Sequence, residues 1–507
     1  MLEAELKLLI ADSDVDRFKA HPLLQRLSAK RPYTRQVENR YYDTSDFALA
    51  RQGIALRLRK LGNRWLQTLK AGNTQAAGLH LRQEWETRLH RPALDWRKLF
   101  TALPPDHELQ ATLPGLVGTL KPRLFTRFRR TLWNLRTPQG DLIECALDRG
   151  EIVAGKARLP ISEVELELKS GRVLALYEMA LALASDLPLA LGETGKAERG
   201  FALLQAPVLS PVTAKRLAVE NGADGPALIL AILRNGLEHL AGNVRLLRTP
   251  ASEGLARDQG EAVHQWRVGL RRLRAALKLF APVAPLPQAW RAEIGHAADL
   301  IGPSRDWDVL AHATLARVPE ARRPPGWEAL QAAAGSRAQA LREQALAAFD
   351  PAREARWQLA LLAWGLGLAE HDPFEETPQA WAHRVLRELQ QRLAKRGRRL
   401  TKGSDADRHH VRIAAKQLRY ALEFLAHLLD KNATRRLLRA LAGLQEALGQ
   451  LNDAAVATGL LDELSEARPD LVAPAHFARG WLAAFAEARI AALDEAWAPV
   501  QRALRRR

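Results

Sequence analysis

Leu2-Glu3-Ala4-Glu5-Leu6-Lys7-Leu8 opens the chain, and its period decides how the first two hundred residues are read. In a strand, residues two apart share a face, so Glu3, Glu5 and Lys7 point one way and Leu2, Ala4, Leu6 and Leu8 the other. The split recurs in Arg57 and Arg59 between Leu56 and Leu58, in Arg82, Glu84 and Glu86, in Arg127 and Arg129 around Phe128, in Glu144 and Asp148, and in Glu163, Glu165 and Glu167 around Val164, Leu166 and Leu168. Each of these runs has one charged face. Turn residues separate them: Gly53, Gly62-Asn63, Gly72-Asn73 and Pro138-Gln139-Gly140-Asp141.

One strand of this kind is the mark of a half-exposed antiparallel sheet. Six of them, carrying nine acids nearly balanced by Arg and Lys, with Leu and Val on the reverse faces, are better explained by a barrel closed with its charges inward. Ionised groups gathered in a low-dielectric interior cost several kcal/mol each unless paired or bound to a ligand. Carboxylates are hard oxygen ligands suited to Mg²⁺ or Mn²⁺, and guanidinium forks and lysines suit phosphate oxygens. A metal-bound polyphosphate satisfies both sets.

Composition sets the wider bounds. With 507 residues the chain is long enough for two or three domains. No uncharged apolar run approaches the roughly 18 to 20 residues that span a bilayer, and the first charge is Glu3, so neither a membrane segment nor a signal peptide is expected. Cys145 is the only cysteine, which excludes an intrachain disulfide and fits a reducing cytoplasm. Facing away from Glu144, it reads as a packing residue, and Tyr41 and Tyr42 as barrel wall. The net charge of +18 points to an anionic partner: nucleic acid, an anionic membrane surface or polyphosphate. It is shared, with 32 basic and 24 acidic residues up to position 209 and 43 and 33 beyond.

Glu3-Ala-Glu5-Leu-Lys7 resembles the N-terminal signature of the CYTH domains, or triphosphate tunnel metalloenzymes. Tyr41-Tyr42-Asp43-Thr44, Leu56-Arg57-Leu58-Arg59, Thr68-Leu69-Lys70, Arg82-x-Glu84-x-Glu86, Leu147-Asp148-Arg149-Gly150, Glu163-Val-Glu165-Leu-Glu167-Leu and Gly195-Lys196-Ala-Glu198-Arg199-Gly200 follow in that family's order. The resemblance covers residues 1–205. It implies an eight-stranded antiparallel β-tunnel with flanking helices that cleaves the terminal phosphate from a triphosphate. It further implies Glu3, Glu5, Glu165 and Glu167 as metal-binding carboxylates, and Lys7, Arg57, Arg59, Lys70, Arg127, Arg129 and Lys196 as the grip on the phosphates. Glu84, Glu86, Asp148 and Glu163 are left to orient these cations, hold a second metal or position water. Lys7 is also a candidate for proton transfer, because a lysine among buried cations has a lowered pKa.

Beyond a linker placed at 206–225, which holds Pro207, Pro211 and Gly222, the period changes to long Ala/Leu/Arg stretches with apolar residues three and four apart, broken at Pro282 to Pro287, Arg322 to Gly326 and His371 to Pro378. This half, residues 226–507, repeats itself, with units at about 226–365 and 379–507. His264-Gln-Trp-Arg267-Val-Gly-Leu-Arg271-Arg272-Leu-Arg274 aligns without gaps with His409-His-Val-Arg412-Ile-Ala-Ala-Lys416-Gln-Leu-Arg419. Each is followed about forty residues on by a related corner, Gly302-Pro-Ser-Arg305-Asp306 and Gly449-Gln-Leu-Asn452-Asp453. At about 100° per residue, His264, Arg267, Arg271 and Arg274 share one face of a helix, and His409, Arg412, Lys416 and Arg419 repeat it. Two such stripes without an interleaved acid argue for an anion site rather than a solvated face. Neither histidine stands at metal-ligand spacing with a Cys or second His, apart from adjacent His410.

These helices resemble the CHAD family, the conserved-histidine α-helical domains, which implies a helical bundle that binds inorganic polyphosphate through a basic groove and has no catalysis of its own. Gln417 in place of Arg272, and Asn452 and Ala455 in place of Arg305 and Asp308, make the second unit less charged. The expectation is an α+β multidomain chain whose tunnel, with Mg²⁺ or Mn²⁺, hydrolyses inorganic triphosphate (PPPi) to pyrophosphate and phosphate. The helical half tethers it to long-chain polyphosphate, in the cytoplasm or on polyphosphate granules. Adenylate cyclase, thiamine-triphosphatase and nucleoside-triphosphatase activities stay open, as does a non-catalytic polyphosphate scaffold. No zinc-finger, bZIP or RRM signature supports nucleic acid as the partner.

Overall fold

The computed structural model describes residues 2–205, 210–219, 222–248 and 255–505. The chain divides into two compact units, Met1–Leu209 with Asp350–Gly367, and Ser210–Phe349 with Leu368–Arg507. Of the expected linker, 206–209, with Pro207, and 220–221 lie outside the described residues, and 210–219 contain neither helix nor strand.

The first unit is built on β1 (Leu2–Leu9), β2 (Tyr33–Asp43), β3 (Ala55–Leu61), β4 (Arg64–Ala76), β5 (Leu79–Leu89), β6 (Lys121–Arg136), β7 (Leu142–Ala154), β8 (Ala157–Ser170) and the two-residue β9 (Ala190–Leu191). All pairings are antiparallel, in the order β5-β4-β3-β2-β6-β7-β8-β1, and β1 pairs back to β5, so eight strands close a barrel and β9 adds to β1. Closure leaves no free edge among the eight and requires each strand to keep one face inward along its length. The alternation of β1 does this: Leu6 and Leu8 are fully buried on the outer face, and Glu5 and Lys7 point into the lumen.

Gly72-Asn73 does not separate two strands. The β4–β5 register slips between Ala71 and Thr74, and the chain reverses instead at Ala77-Gly78, where both residues have positive φ (44° and 77°). An extra residue absorbed in a bulge leaves a glycine inside a strand rather than at its end.

The apolar outer faces are covered by helices. Leu56, Leu69 and Trp85 of β3 to β5 pack with Leu49, Leu99, Leu103 and Leu109. The helix Trp96–Ala102 in that layer is started by Asp95, whose carboxylate accepts from the Lys98 amide at 3.0 Å. The helix Lys196–Leu204 instead covers inward-facing apolar residues, bringing Phe201 against Val37, Tyr41, Phe128 and Ile152. The helix Leu174–Asp186 packs against Pro351–Gly367, a segment from far along the chain that is apolar around most of its surface. A helix of that composition needs burial on several sides.

The second unit is all helical. Its long members are Gly225–Leu247, Leu255–Phe280, Gln288–Val309, Trp327–Ala347, Pro378–Gly397, Asp405–Leu425, Lys431–Ala467 and Val472–Ala491. One core joins Trp307, Leu310, Trp327 and Leu330 to Leu461, Leu471 and Leu482. The three expected breaks are present. The two expected corners are not: Gly302–Asp306 lies inside Gln288–Val309 and Gly449–Asp453 inside Lys431–Ala467. The helix-breaking signal of Gly302-Pro303 loses to packing, since Ile301, Ser304 and Trp307 on either side are buried. No described helix is long and apolar enough to cross a membrane.

Candidate functional site

The barrel encloses a cavity of about 780 Å³. From β1 come Glu3, Glu5 and Lys7, from β3 Arg57 and Arg59, from β4 Lys70, from β5 Arg82, Glu84 and Glu86, from β8 Glu165 and Glu167, and from the N-terminus of the helix after β9 Lys196. Asp148 and Glu163 lie buried just behind this lining. The candidate side chains of these strands thus converge on one lumen, except on β6.

Arg127 and Arg129 are exposed and line no part of the cavity. The inward face of β6 is the other one, with Thr126, Phe128 and Arg130. Both faces of this strand carry arginine, so spacing alone favours the face with two. What decides is Phe128, which packs with Phe201 and the barrel wall and takes Arg130 inward with it.

Arg130 is gripped at both ends of Asp148, Nε to Oδ1 at 2.7 Å and Nη2 to Oδ2 at 2.6 Å, and also meets Glu165. Lys196 Nζ lies 2.6 Å from Asp148 Oδ2 and 2.8 Å from Glu165 Oε1 and also pairs with Glu163, which Arg199 holds from its other oxygen. Carboxylate oxygens of Asp148, Glu163 and Glu165 come within 4.8 Å of one another, a grouping that would suit a cation. Lys196 already supplies one. Burial alone would raise the Glu165 pKa, but Lys196, Lys7 and Arg130 outweigh it and hold Glu165 well below the usual range.

Lys7 Nζ is 2.6 Å from Glu5 Oε1 and also pairs with Glu165. Burial would lower its pKa, yet these carboxylates carry it above the ordinary lysine value. The expected lowering for proton transfer is therefore absent, because Lys7 faces acids rather than cations.

The remaining charges are unevenly spread. Glu5, buried and beside Glu165, is pushed up to about 7, and burial also raises Glu167. Register places Glu5 opposite Glu167 and Glu167 opposite Glu144, so acids concentrate on the β1–β8–β7 wall. On the facing wall burial, Arg57 and Arg130 pull Arg59 down to about 10, and its Nε donates only to Asn39 Oδ1, at 3.0 Å. Nε of Arg57 and of Arg35 is buried without a hydrogen-bond partner. Lys70 Nζ bridges the walls, 2.5 Å from Glu3 Oε2 and 3.2 Å from Glu84 Oε2. Thr68 donates to Glu86 at 3.3 Å.

Sequence reasoning gave no role to Arg130, Arg35, Arg199 or Glu144. Arg199 follows Lys196 by three residues at the start of a helix, a spacing that puts both on one face and was readable. Arg35 stands alone among uncharged inward residues of β2 and gives no pattern. Cys145 is buried with its thiol pKa pushed up by burial, as a packing residue should be. Tyr41 lines the lumen, whereas Tyr42 packs on the outer layer.

In the helical unit the two stripes meet across a groove of about 750 Å³, lined by His264, Arg271, Arg272, Lys416 and Arg419 together with Lys215, Lys431 and Arg435. Burial, then Arg271 and Arg412, pull Lys416 down to about 7, and burial and Arg305 lower His264. Not every stripe residue is free to bind. Arg267 Nη1 donates to Gly302 O at 2.7 Å and Asp306 Oδ1 at 2.8 Å, Arg272 pairs with Glu423, and Arg419 Nε donates to Glu423 at 2.8 Å. Arg271 Nε donates to Tyr420 Oη at 2.6 Å. By contrast, Arg412 Nε is buried without a partner. With His409 it borders a second hollow that also contains His476 and Arg479. Arg274 is exposed and lines neither.

The CYTH domain model matches residues 1–201 and the CHAD domain model residues 231–462. The chain is a CYTH domain followed by a CHAD domain. The CYTH region is similar to the inorganic triphosphatase of Haemophilus influenzae, with 35% identity over 165 residues, or 32% of this chain and 45% of that protein. The chain thus spans less than half the length of that relative. The CHAD region is similar to the crystal structure of the CHAD domain from the plant Ricinus communis, with 38% identity, 58% of this chain and 96% of that one covered, and a TM-score of 0.52.

Proposed function

We propose that the CYTH barrel is a metal-dependent inorganic triphosphatase (PPPi + H₂O giving PPi + Pi) and that the CHAD unit binds long-chain polyphosphate. One observation carries the first part. Within a single closed lumen burial and the neighbouring Glu165 push a carboxylate, Glu5, up to about 7, and burial with Arg57 and Arg130 pulls a guanidinium, Arg59, down to about 10. A ligand that is cationic at one end and anionic along the rest relieves both, and a divalent ion on a short phosphate chain is such a ligand.

The donor set fits the ion. Glu3, Glu5, Glu165 and Glu167 share the inner face of adjacent strands β1 and β8, all are hard oxygen donors, and burial raises the pKa values of Glu5 and Glu167 even though Lys7 and Lys169 pair with them. A bound Mg²⁺ or Mn²⁺ would supply charge neutralisation at the phosphate oxygens. Arg57, Arg59 and Lys70 grip the chain from the facing wall, and Arg130 and Lys196 are aimed by Asp148, Glu163 and Glu165. Water attacks the terminal phosphorus and the bridging P–O bond breaks toward pyrophosphate. The fixed cations offset the charge that develops on the departing oxygen, and being already oriented they need no reorganisation. Arg127 and Arg129, on the outer face, have no part in this grip.

The bare triphosphate is favoured over a nucleotide by the state of the lumen's aromatic rings. Lys196 and Arg130 lie 5.0 and 5.5 Å from the Phe128 ring centroid, and Tyr41 is 3% exposed, packed with Val37, Phe128 and Phe201. No uncommitted ring face is left by these two for a base to stack on. The test is phosphate release by the full chain from PPPi, ATP and thiamine triphosphate with Mg²⁺ or Mn²⁺. PPPi turned over at least tenfold faster per unit kcat/KM is the expected result, and a preference for ATP overturns the assignment.

A further inference from the structure

His80 is 1% exposed and lies on β5 opposite Glu5 of β1. Its Nε2 is 3.0 Å from the Gly192 carbonyl oxygen, and its Nδ1 is 3.2 Å from Nη2 of Arg82. A carbonyl only accepts and a guanidinium only donates, so the ring has one consistent state. Nε2 carries the hydrogen, Nδ1 offers its lone pair, and the imidazole is neutral. Burial first, then the charges of Lys7 and Arg82, take its pKa down to about 3, so this state holds throughout the physiological range.

Both partners of the ring lead to the phosphate grip. Arg82 lines the lumen. Gly192 begins the loop Gly192-Glu193-Thr194-Gly195 that delivers Lys196, and its amide donates to the Lys7 carbonyl at 2.9 Å, tying the loop to β1. There is no slack at that point, since a Cβ on Gly192 would fall 2.8 Å from Cβ of Lys7. Gly195 closes the circuit: a Cβ there would sit 3.3 Å from Nη1 of Arg82, so the guanidinium lies against the loop's backbone. One imidazole therefore touches both the cation on β5 and the loop that seats the cation on the following helix.

We propose that His80 is a positioning residue, a neutral bridge between Gly192 and Arg82 that fixes the direction of the Arg82 guanidinium and the seat of Lys196, so that the two close on one phosphate group. The inference rests on the triphosphatase reading of the barrel. Removing the bridge leaves the cations in place but undirected, so it weakens the hold on substrate more than it slows the bond-breaking step.

The experiment is a double-mutant cycle on the full chain, read by calorimetric binding of tripolyphosphate in the presence of Mg²⁺ and by steady-state kinetics. His80→Leu is expected to weaken binding and raise KM roughly tenfold, the size of one lost charge-assisted hydrogen bond, with kcat changed less than about threefold. His80→Gln, whose amide can both donate to Gly192 and accept from Arg82, is expected to recover most of the loss. His80→Leu added to Arg82→Ala should cost no more than Arg82→Ala alone. If His80→Leu does not fold, His80→Asn takes its place in the cycle. Wild-type affinity in His80→Leu, or full additivity with Arg82→Ala, overturns the role of His80 while leaving the triphosphatase reading intact. A wild-type chain that binds no tripolyphosphate overturns both.

Discussion

At the scale of single residues, partners separate the cations that organise the barrel from those that merely decorate it. Arg130 neutralises two buried carboxylates, Asp148 and Glu165, and removing one side of such a pair leaves uncompensated charge in a dry site, at about 3–5 kcal/mol. Arg130→Ala should therefore lose PPPi hydrolysis and melt markedly lower, whereas Arg127→Ala and Arg129→Ala should keep activity within about twofold. Equal losses in all three variants would mean that β6 has been assigned the wrong inner face. The helical stripes separate in the same way. Arg267 is committed to Gly302 and Asp306, while Lys416 has its charge suppressed by burial and then by Arg271 and Arg412, so a polyanion gains most at Lys416. With a pKa of about 7 when free, Lys416 loses its proton as pH rises from 7 to 8.5, and binding an anion pulls the proton back. Polyphosphate affinity should fall across that interval, above the range where ordinary histidines titrate, by roughly threefold to tenfold. Lys416→Arg, which stays charged, should flatten the dependence. An unchanged pH profile in Lys416→Arg, measured by competition for labelled polyphosphate, would remove Lys416 from the site.

At the scale of elements, legibility followed periodicity. β1 and β8 were readable because β1 puts all its charges on one face and β8 puts Glu163, Glu165 and Glu167 on one, and closure follows from six such strands whose other faces need cover. β6 was not, because Arg127, Arg129 and Arg130 load both faces and only the packing of Phe128 against Phe201 selects one. The Gly302-Pro303 and Gly449 signals were overread for the opposite reason: strong local breakers yielded to long helices with buried neighbours. Close strand approach is likewise invisible in spacing. Gly150 on β7 pairs with Phe128, and a Cβ there would come within 2.1 Å of the Arg127 carbonyl oxygen and 2.5 Å of the Phe128 Cα. Backbone cannot give way as a side chain can, so Gly150→Ala should destabilise the barrel by about 1–3 kcal/mol or more. The melting temperature of the first unit should drop by several degrees; an unaltered transition would show that the β6–β7 ladder is looser than drawn.

At the scale of the whole molecule, chain order and spatial order part company. Asp350–Gly367 belongs by its packing to the unit built from the first 209 residues, although it follows more than a hundred residues of the other unit. The sequence showed only another Ala/Leu-rich helix there. Nothing in its period names the partner, since an apolar surface reports the need for burial and not the place of burial. The two proposed anion sites also differ in kind. The lumen combines acids and bases in one enclosure, which suits a metal-bound triphosphate, while the helical groove presents cations and suits a long chain that brings its own charge. The claim that joins these observations is the first, and crystals of the full chain with Mn²⁺ and a non-hydrolysable triphosphate analogue test it most directly. The account predicts anomalous density on the Glu3, Glu5, Glu165 and Glu167 wall with the phosphates against Arg57, Arg59 and Arg130. A lumen without either, and the analogue bound elsewhere, would contradict it.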